Sequence, residues 1–144
     1  TNLCAVCQAQ LRIMKVRYPK PGIVYKGAIP VAEIALNTSD KYLTILISAL
    51  LGNAYKFTQE GTISLECDRL GDDRVFVAVA DTGCGIPPEK RNDIFGMPSD
   101  DSKATPGLSL ALCRLIARHL SGNISLDEAY TAGARFIFTI PAKP

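Results

Sequence analysis

A carboxylate followed by two glycines, in Asp81-Thr82-Gly83-Cys84-Gly85, is the segment most suited to chemistry. The apolar, β-branched run from Arg74 to Ala80 predicts a buried strand that ends at Asp81. An ionised aspartate only accepts hydrogen bonds, so at a strand end it can receive one from an exocyclic amine such as adenine N6. Gly83 and Gly85 would let the backbone approach a flat ligand, although Asp-x-Gly is also ordinary turn chemistry.

Two further polar residues, Asn53 and Lys56, lie upstream on a predicted helix. Apolar residues recur there at helical spacing and form one core-facing stripe, which predicts a helix from about Asp40 to Phe57. Because Asn53 and Lys56 share a side of this helix, an amide oxygen could hold Mg²⁺ and an ammonium could meet phosphate. Each also has an ordinary explanation, as a satisfied amide and a solvated charge. Their coincidence with the Asp81 turn favours nucleotide binding.

Four segments, in matching order, resemble the motifs of the GHKL ATPases, most closely those of the sensor histidine kinases. They are the N box (Asn53–Thr58), the first glycine box (Asp81–Pro87), the phenylalanine box (Asp93–Gly96) and a degraded second glycine box (Pro106–Leu110). The two predicted strands near the end of the chain, Gly122–Leu126 and Gly133–Pro141, are similar to the last strands of the kinase catalytic domain. The resemblance therefore covers nearly the whole sequence.

The resemblance implies a binding site for ATP and Mg²⁺ between the long helix and a lid at residues 96–105. The implied nucleotide-binding residues are Asn53, Lys56, Asp81, Gly83, Gly85, Ile86, Phe95, Gly107, Leu108 and Ser109. Asp81 would read adenine, Ile86 would pack on the ring, and Phe95 would pack beneath the lid. Backbone donors at 107–110 would face the triphosphate at a helix N-terminus.

Asn53 and Lys56 are also the catalytic candidates, with Asn53 as the metal ligand and Lys56 neutralising phosphate charge. Phosphoryl transfer depends on positioning and charge stabilisation more than on covalent work by the protein, so these groups could suffice on the ATP side. The acceptor histidine would come from a dimerisation hairpin of the same parent protein, and a response regulator would act downstream.

The phosphate-binding segment departs from the family pattern. Thr105 and Ser109 replace the outer glycines of Gly-x-Gly-Leu-Gly-Leu, and Pro106 replaces a residue with an N–H. Thr105-Pro106 is equally an ordinary N-cap and first helical residue. Losing one charge-assisted bond to phosphate would cost about 1.5–3 kcal/mol, roughly tenfold to a hundredfold in affinity. The segment therefore leaves weak ATP binding open.

Three single residues depart from the family as well. Ala49 stands where many of these kinases carry Asn and where hydrolysing relatives carry a general-base Glu, which argues against an autonomous ATPase. Ala134 replaces a common Thr and removes one polar contact near adenine. His119, the single histidine, is followed by Leu-Ser-Gly rather than by an acidic residue and a proline. We therefore expect it to interact with its helix C-terminus and not to accept phosphate.

Length and composition favour one domain spanning residues 1–144, a fragment that lacks the acceptor hairpin. The formal net charge of +2 is dispersed, which gives no reason to expect nucleic acid. No apolar run reaches the roughly twenty residues of a spanning helix. We expect a cytoplasmic fragment without membrane contact, and a monomer. The five scattered cysteines predict reduced thiols, with Cys4 and Cys7 facing the core of an N-terminal helix.

The remaining patterns predict three main helices on one face of a mixed, mostly antiparallel sheet of about five strands, an α+β two-layer sandwich. The predicted helices cover Asn2–Met14, Asp40–Phe57, a short Pro88–Phe95 and a stripe at Leu108–Ile116 that ends at Ser121-Gly122. The predicted strands before the last two cover Ile23–Lys26, Ala32–Leu36, Thr62–Arg69 and Arg74–Asp81, with a hairpin turn at Gly71-Asp72-Asp73.

Three functions fit these features. The first is the ATP-binding catalytic domain of a sensor histidine kinase, which would phosphorylate a histidine supplied elsewhere and would be inactive alone. The second is a serine kinase of the anti-sigma type, against which Ala49 speaks because a Glu is usual near the N box. The third is an interaction module that keeps the fold but has lost useful nucleotide affinity, which Pro106 and Ser109 would explain.

Overall fold

The computed structural model describes residues 1–36, 38–83, 85 and 110–142. Its helices are α1 (Leu3–Arg17), α2 (Asp40–Phe57) and α3 (Leu110–His119), and its strands are β1 (Ile23–Ala28), β2 (Gly61–Leu70), β3 (Arg74–Asp81), β4 (Asn123–Leu126) and β5 (Arg135–Pro141). The predicted short helix at 88–95 and the predicted lid at 96–105 lie outside the described residues. No helix of the described ranges has the length and apolar character that crossing a membrane requires.

The strands form one sheet in the order β1-β2-β3-β5-β4. β1 runs parallel to β2, and every other neighbouring pair is antiparallel. Gly71 has a φ of 73°, which permits the tight turn between β2 and β3. The sheet is therefore mixed and mostly antiparallel, as the sequence predicted.

One face of this sheet is buried by the three helices. Alternate residues of β3 and β5 are buried while those between them are mostly partly exposed, so each strand presents an apolar face to the helices. α2 lies between α1 and α3 and contributes the fully buried Leu43, Leu46 and Ile47. Phe138 of β5 is the largest fully buried side chain among the residues that the structure describes. This arrangement confirms the predicted two-layer α/β sandwich.

Helix α2 has the bounds that its apolar stripe predicted. Ser39 is the N-cap, and its hydroxyl accepts a hydrogen bond from the Tyr42 amide at 3.2 Å. Asp40 lies in the first turn, where the helix dipole favours a negative charge. The cap contributes about 1 kcal/mol and fixes where the helix starts.

Residues 32–36 do not form the predicted strand. Ala35 makes a single bridge to Asn2, with hydrogen bonds from the Leu3 amide to the Ile34 carbonyl and from the Leu36 amide to the Thr1 carbonyl. The pairing stops there because its partner segment turns into α1 at Leu3. Within this segment Ile34 and Leu36 are buried, while Ala32 and Ala35 are exposed, so two buried apolar residues at strand spacing did not suffice to form a strand.

Helix α1 extends to Arg17, beyond the predicted end at Met14. The residues beyond Met14 point to solvent and the apolar one among them, Val16, is exposed, so no core-facing residue marked this turn in the sequence, while Lys15 and Arg17 suit the negative end of the helix dipole. Helix α3 ends where predicted, since Ser121 adopts a φ of 64° and the Gly122 amide bonds back to the Ala117 carbonyl.

The cysteines in the described ranges are free thiols buried in the core, as predicted for Cys4 and Cys7. Cys67 of β2 joins them, so that three thiols meet where α1 crosses the sheet. Hydrogen bonding to Cys67 and burial raise the pKa of the Cys7 thiol far above its usual range. The described part of the chain holds no cluster of His, Cys, Asp and Glu suited to a metal ion.

Candidate functional site

Asp81 ends β3 and is only 4% exposed. Its carboxylate oxygen Oδ1 accepts hydrogen bonds from the amides of Gly83 at 2.9 Å and Ala134 at 3.4 Å. Its own amide donates to the Ala134 carbonyl, and its carbonyl accepts from the Tyr130 hydroxyl at 2.9 Å. The residue is thus held through its side chain and through both backbone groups.

Burial raises the pKa of the Asp81 carboxyl, and the two amide donors at Gly83 and Ala134 partly oppose that shift. The cause is desolvation, which disfavours the charged form in an apolar site. A buried carboxylate of this kind gains more from a hydrogen-bond donor on a ligand than an exposed one would, because water competes less. Carboxyls whose pKa is shifted by burial are frequent at functional sites.

Gly83 is a glycine for a packing reason that the sequence did not reveal. A Cβ at this position would collide with the carbonyl of Phe57 and meet the hydroxyl of Thr58, so the Asp81 turn lies directly on the C-terminal end of α2. Gly85 has a φ of 70°, the conformation that glycine adopts most readily. The close approach brings the turn next to the helix that carries Asn53 and Lys56.

Asn53 lies on α2 and is 7% exposed. Its amide nitrogen Nδ2 is buried and has no hydrogen-bond partner within the described ranges. Lys56 lies one turn further and its ammonium is 5.1 Å from the centroid of the Phe57 ring. A buried amide without a partner costs about 1–3 kcal/mol, which a polar ligand at this point would recover. The amide oxygen of Asn53 is a hard donor of the kind that Mg²⁺ prefers.

Thr58 and Tyr130 belong to this region, although the sequence interpretation assigned neither a role. Thr58 is fully buried, and its hydroxyl has no partner among the described residues. Tyr130 stands in the connection between β4 and β5, where no motif or periodicity marks it. Only Asp127, an aspartate that starts a turn three residues earlier, hinted at an ordered connection.

The remaining predicted site residues divide into two groups. Ile86, Phe95, Gly107, Leu108 and Ser109 lie outside the described residues, so their roles stay predictions. Ala49 is buried on α2, one turn before Asn53, and brings no carboxylate to the site. His119 ends α3 and its ring makes an edge contact with Tyr42, with 5.0 Å between centroids.

Residues 38–144 match a family model described as "Histidine kinase-, DNA gyrase B-, and HSP90-like ATPase". The chain is 33% identical over 141 residues to the adaptive-response sensory kinase SasA of Gloeothece citriformis (strain PCC 7424), covering 94% of this chain and 36% of SasA. It is also 33% identical over 112 residues to the sensor histidine kinase AruS of Pseudomonas aeruginosa, covering 71% of this chain and 11% of AruS. The chain thus spans little more than a third of the SasA relative.

Solved structures show the same fold. Full-length ShkA in complex with AMPPNP superposes with a TM-score of 0.81 and 26% identity, covering 98% of this chain and 30% of ShkA. The nucleotide-free catalytic domain of the histidine kinase ThkA gives a TM-score of 0.85 at 23% identity, covering 100% of this chain and 96% of that domain. At that identity the second likeness concerns the fold alone.

Proposed function

The chain belongs to the family of histidine kinase-, DNA gyrase B- and HSP90-like ATPases, as an ATPase domain of the sensor histidine kinase type, and from this premise we propose that it binds Mg-ATP and supplies the phosphoryl group for a histidine on a separate dimerisation domain. One observation carries the proposal. The buried Asp81 turn lies against the end of α2, the helix in which Asn53 has a buried amide without a partner.

At the adenine end, Asp81 would accept a hydrogen bond from the exocyclic amine. The hydrogen bonds that its carboxylate receives from described residues all go to Oδ1, which leaves Oδ2 to accept from a ligand. A hydrogen bond to a charged group contributes about 1.5–3 kcal/mol. The carboxylate cannot donate, so a purine with an oxo group in place of the amine would be disfavoured.

At the phosphate end, Asn53 would hold Mg²⁺ through its amide oxygen and Lys56 would meet phosphate oxygens. The metal, when bound, offsets the negative charge of the phosphates. Asn53 is well suited because its side chain is buried on a rigid helix and its amide oxygen is a hard donor. The donors predicted at Gly107, Leu108 and Ser109 would complete the phosphate contacts.

The acceptor histidine would be supplied by a hairpin of the same parent protein, and a response regulator would receive the phosphoryl group next. His119 is a poor candidate because it ends α3 with its ring packed on Tyr42. Ala49 offers no base to activate water, which favours transfer over hydrolysis. The free thiols Cys4, Cys7, Cys67 and Cys113 suit a reducing compartment, and we place the domain in the cytoplasm.

Isothermal titration calorimetry with Mg-ADP tests the proposal. Asp81→Asn keeps the acceptor for the two backbone amides but introduces an NH₂ that faces the adenine amine, so we expect at least a tenfold loss of affinity, about 1.4 kcal/mol or more. Asp68→Asn is the matched control, since Asp68 is exposed on β2 and its carboxylate accepts from the next backbone amide, that of Arg69. No heat from the wild-type chain at millimolar nucleotide would contradict the proposal.

A further inference from the structure

We infer that Tyr130 is a positioning residue for Asp81 and thereby sets the preference of the site for a 6-amino purine over a 6-oxo purine. The inference rests on the proposed nucleotide binding. Tyr130 is separated from Asp81 by 49 positions in sequence, yet its hydroxyl donates to the Asp81 carbonyl oxygen at 2.9 Å. It acts on the reading carboxylate through the backbone and not by touching the ligand.

The connection between β4 and β5 lies directly on Asp81. Besides the Tyr130 hydroxyl, it supplies the Ala134 carbonyl, which accepts from the Asp81 amide, and the Ala134 amide, which donates to Oδ1. A Cβ on Gly133 would collide with the Asp81 carbonyl, so this close approach requires glycine. One short segment therefore holds the amide, the carbonyl and the side chain of the residue proposed to read the base.

This connection is itself anchored at both ends. Asp127 accepts from the Ala129 amide through Oδ1 at 3.0 Å and from the Tyr130 amide through its carbonyl at 3.2 Å. The Asp127 amide donates to the Arg135 carbonyl, while the Arg135 guanidinium donates to Asp127 Oδ2 at 2.8 Å and to Glu66 Oε1 at 2.9 Å. These hydrogen bonds fix the turn and so hold the Tyr130 hydroxyl at the Asp81 carbonyl.

The tyrosine also remains a donor under ordinary conditions. Burial and the nearby charge of Asp81 raise the pKa of the Tyr130 hydroxyl, while the positive charge of Arg135 acts in the opposite direction. A protonated hydroxyl is what the bond to the Asp81 carbonyl needs. The hydroxyl therefore keeps its proton at neutral pH and can donate to the Asp81 carbonyl.

A fixed Asp81 matters for base selection. The site can distinguish a 6-amino from a 6-oxo purine only if the carboxylate cannot move away from the base. An adenine amine gains a hydrogen bond from it, whereas an oxo group in the same place meets a second acceptor. Without the Tyr130 hydroxyl, the Asp81 carbonyl loses a partner and the turn gains freedom to rock. The carboxylate could then move away from an oxo group, so the penalty on the wrong base would fall.

The first test compares the affinities of Mg-ADP and Mg-IDP for the wild-type chain and for Tyr130→Phe by chemical-shift titration. We expect the preference for ADP over IDP to fall about three- to tenfold, the range of one hydrogen bond. Tyr25→Phe is the matched control, because the Tyr25 hydroxyl also donates to a backbone carbonyl, that of Tyr18, at 2.9 Å. A merely structural role would weaken both nucleotides equally, and an unchanged ratio would overturn the inference.

The second test needs no nucleotide. In Tyr130→Phe we expect the amides of Gly83 and Ala134 to exchange with deuterium about three- to tenfold faster, with amides in the middle of β3 unchanged. Unchanged exchange at both amides would refute the positioning role whatever the affinities show. A wild-type chain that binds neither nucleotide would refute the proposed function instead, and the exchange rates would still decide whether Tyr130 positions Asp81.

Discussion

Two neighbouring polar regions differ in how far the protein satisfies its own buried groups. Around Asp81, the amide, the carbonyl and one carboxylate oxygen all have protein partners. Around the end of α2, Asn53 Nδ2 and Thr58 Oγ1 are buried and have none among the described residues. Buried polar groups are normally paired, so the contrast suggests a preformed base-reading half and a half that a ligand would complete.

The largest expected effect concerns the contact that joins the two regions. Gly83→Ala places a methyl group against the Phe57 carbonyl, so we expect a loss of at least about 2 kcal/mol in the free energy of unfolding, measured by urea denaturation. Gly71→Ala is the control, because Gly71 has a positive φ but open space around it, and should lose about 1 kcal/mol. Equal losses would show that the two regions are not in tight contact.

A smaller effect tests whether the end of α2 binds the nucleotide through a metal ion. Asn53→Ala removes the proposed metal ligand, and we expect about tenfold weaker binding of ADP with Mg²⁺ but little change in EDTA, since Asn53 would act on the nucleotide through the metal. Ser48→Ala serves as the control, because Ser48 is exposed on the same helix and its hydroxyl donates to the Ile45 carbonyl. A loss of affinity that is the same with and without Mg²⁺ would remove Asn53 from the metal site.

The burial of Asp81 should make the free energy of unfolding depend on pH. Burial raises the folded-state pKa of Asp81 above the unfolded value, so the folded state binds this proton more tightly. The free energy of unfolding therefore rises as pH falls through that raised pKa, and this contribution is lost as pH increases. Relative to wild type, Asp81→Asn should gain stability at neutral pH and lose that advantage in mild acid, as followed by urea denaturation at several pH values. A constant difference would contradict a buried, titrating carboxyl.

The smallest effect concerns the Thr58 hydroxyl. Thr58→Val keeps the shape of the side chain and removes an oxygen that has no partner in the described structure, so we expect a gain of roughly 0.5–1 kcal/mol in thermal or urea unfolding. Thr62→Val is the reference, because it makes the same replacement of a hydroxyl by a methyl group at a partly exposed position near the start of β2. A loss of stability at position 58 alone would show that the hydroxyl is bonded.

The sequence predicted the elements whose signals are local. The stripe and the Ser39 cap define α2, and an apolar run followed by a glycine turn places Asp81 at the end of β3. The strand prediction for residues 32–36 was wrong because a strand needs a partner along its length. The segment that pairs with it at Asn2 becomes helix α1 from Leu3. The sequence also could not reveal Tyr130, because a hydrogen bond across 49 positions leaves no periodic trace. The sequence therefore predicted the elements that carry Asn53 and Asp81, whereas the contact from Tyr130 became apparent only in the structure.

The three buried thiols of Cys4, Cys7 and Cys67 lie at the junction between α1 and β2. Their reaction with a thiol reagent would therefore report when this junction opens. All three thiols are buried, so an alkylating reagent reaches them only after the helix leaves the sheet, although hydrogen bonding lowers the pKa of Cys67 while the pKa values of Cys4 and Cys7 are raised. The rate of labelling therefore measures how often this part of the core separates. Mass spectrometry of the peptides that contain Cys4, Cys7 and Cys67 would follow this opening separately from labelling of the other two cysteines.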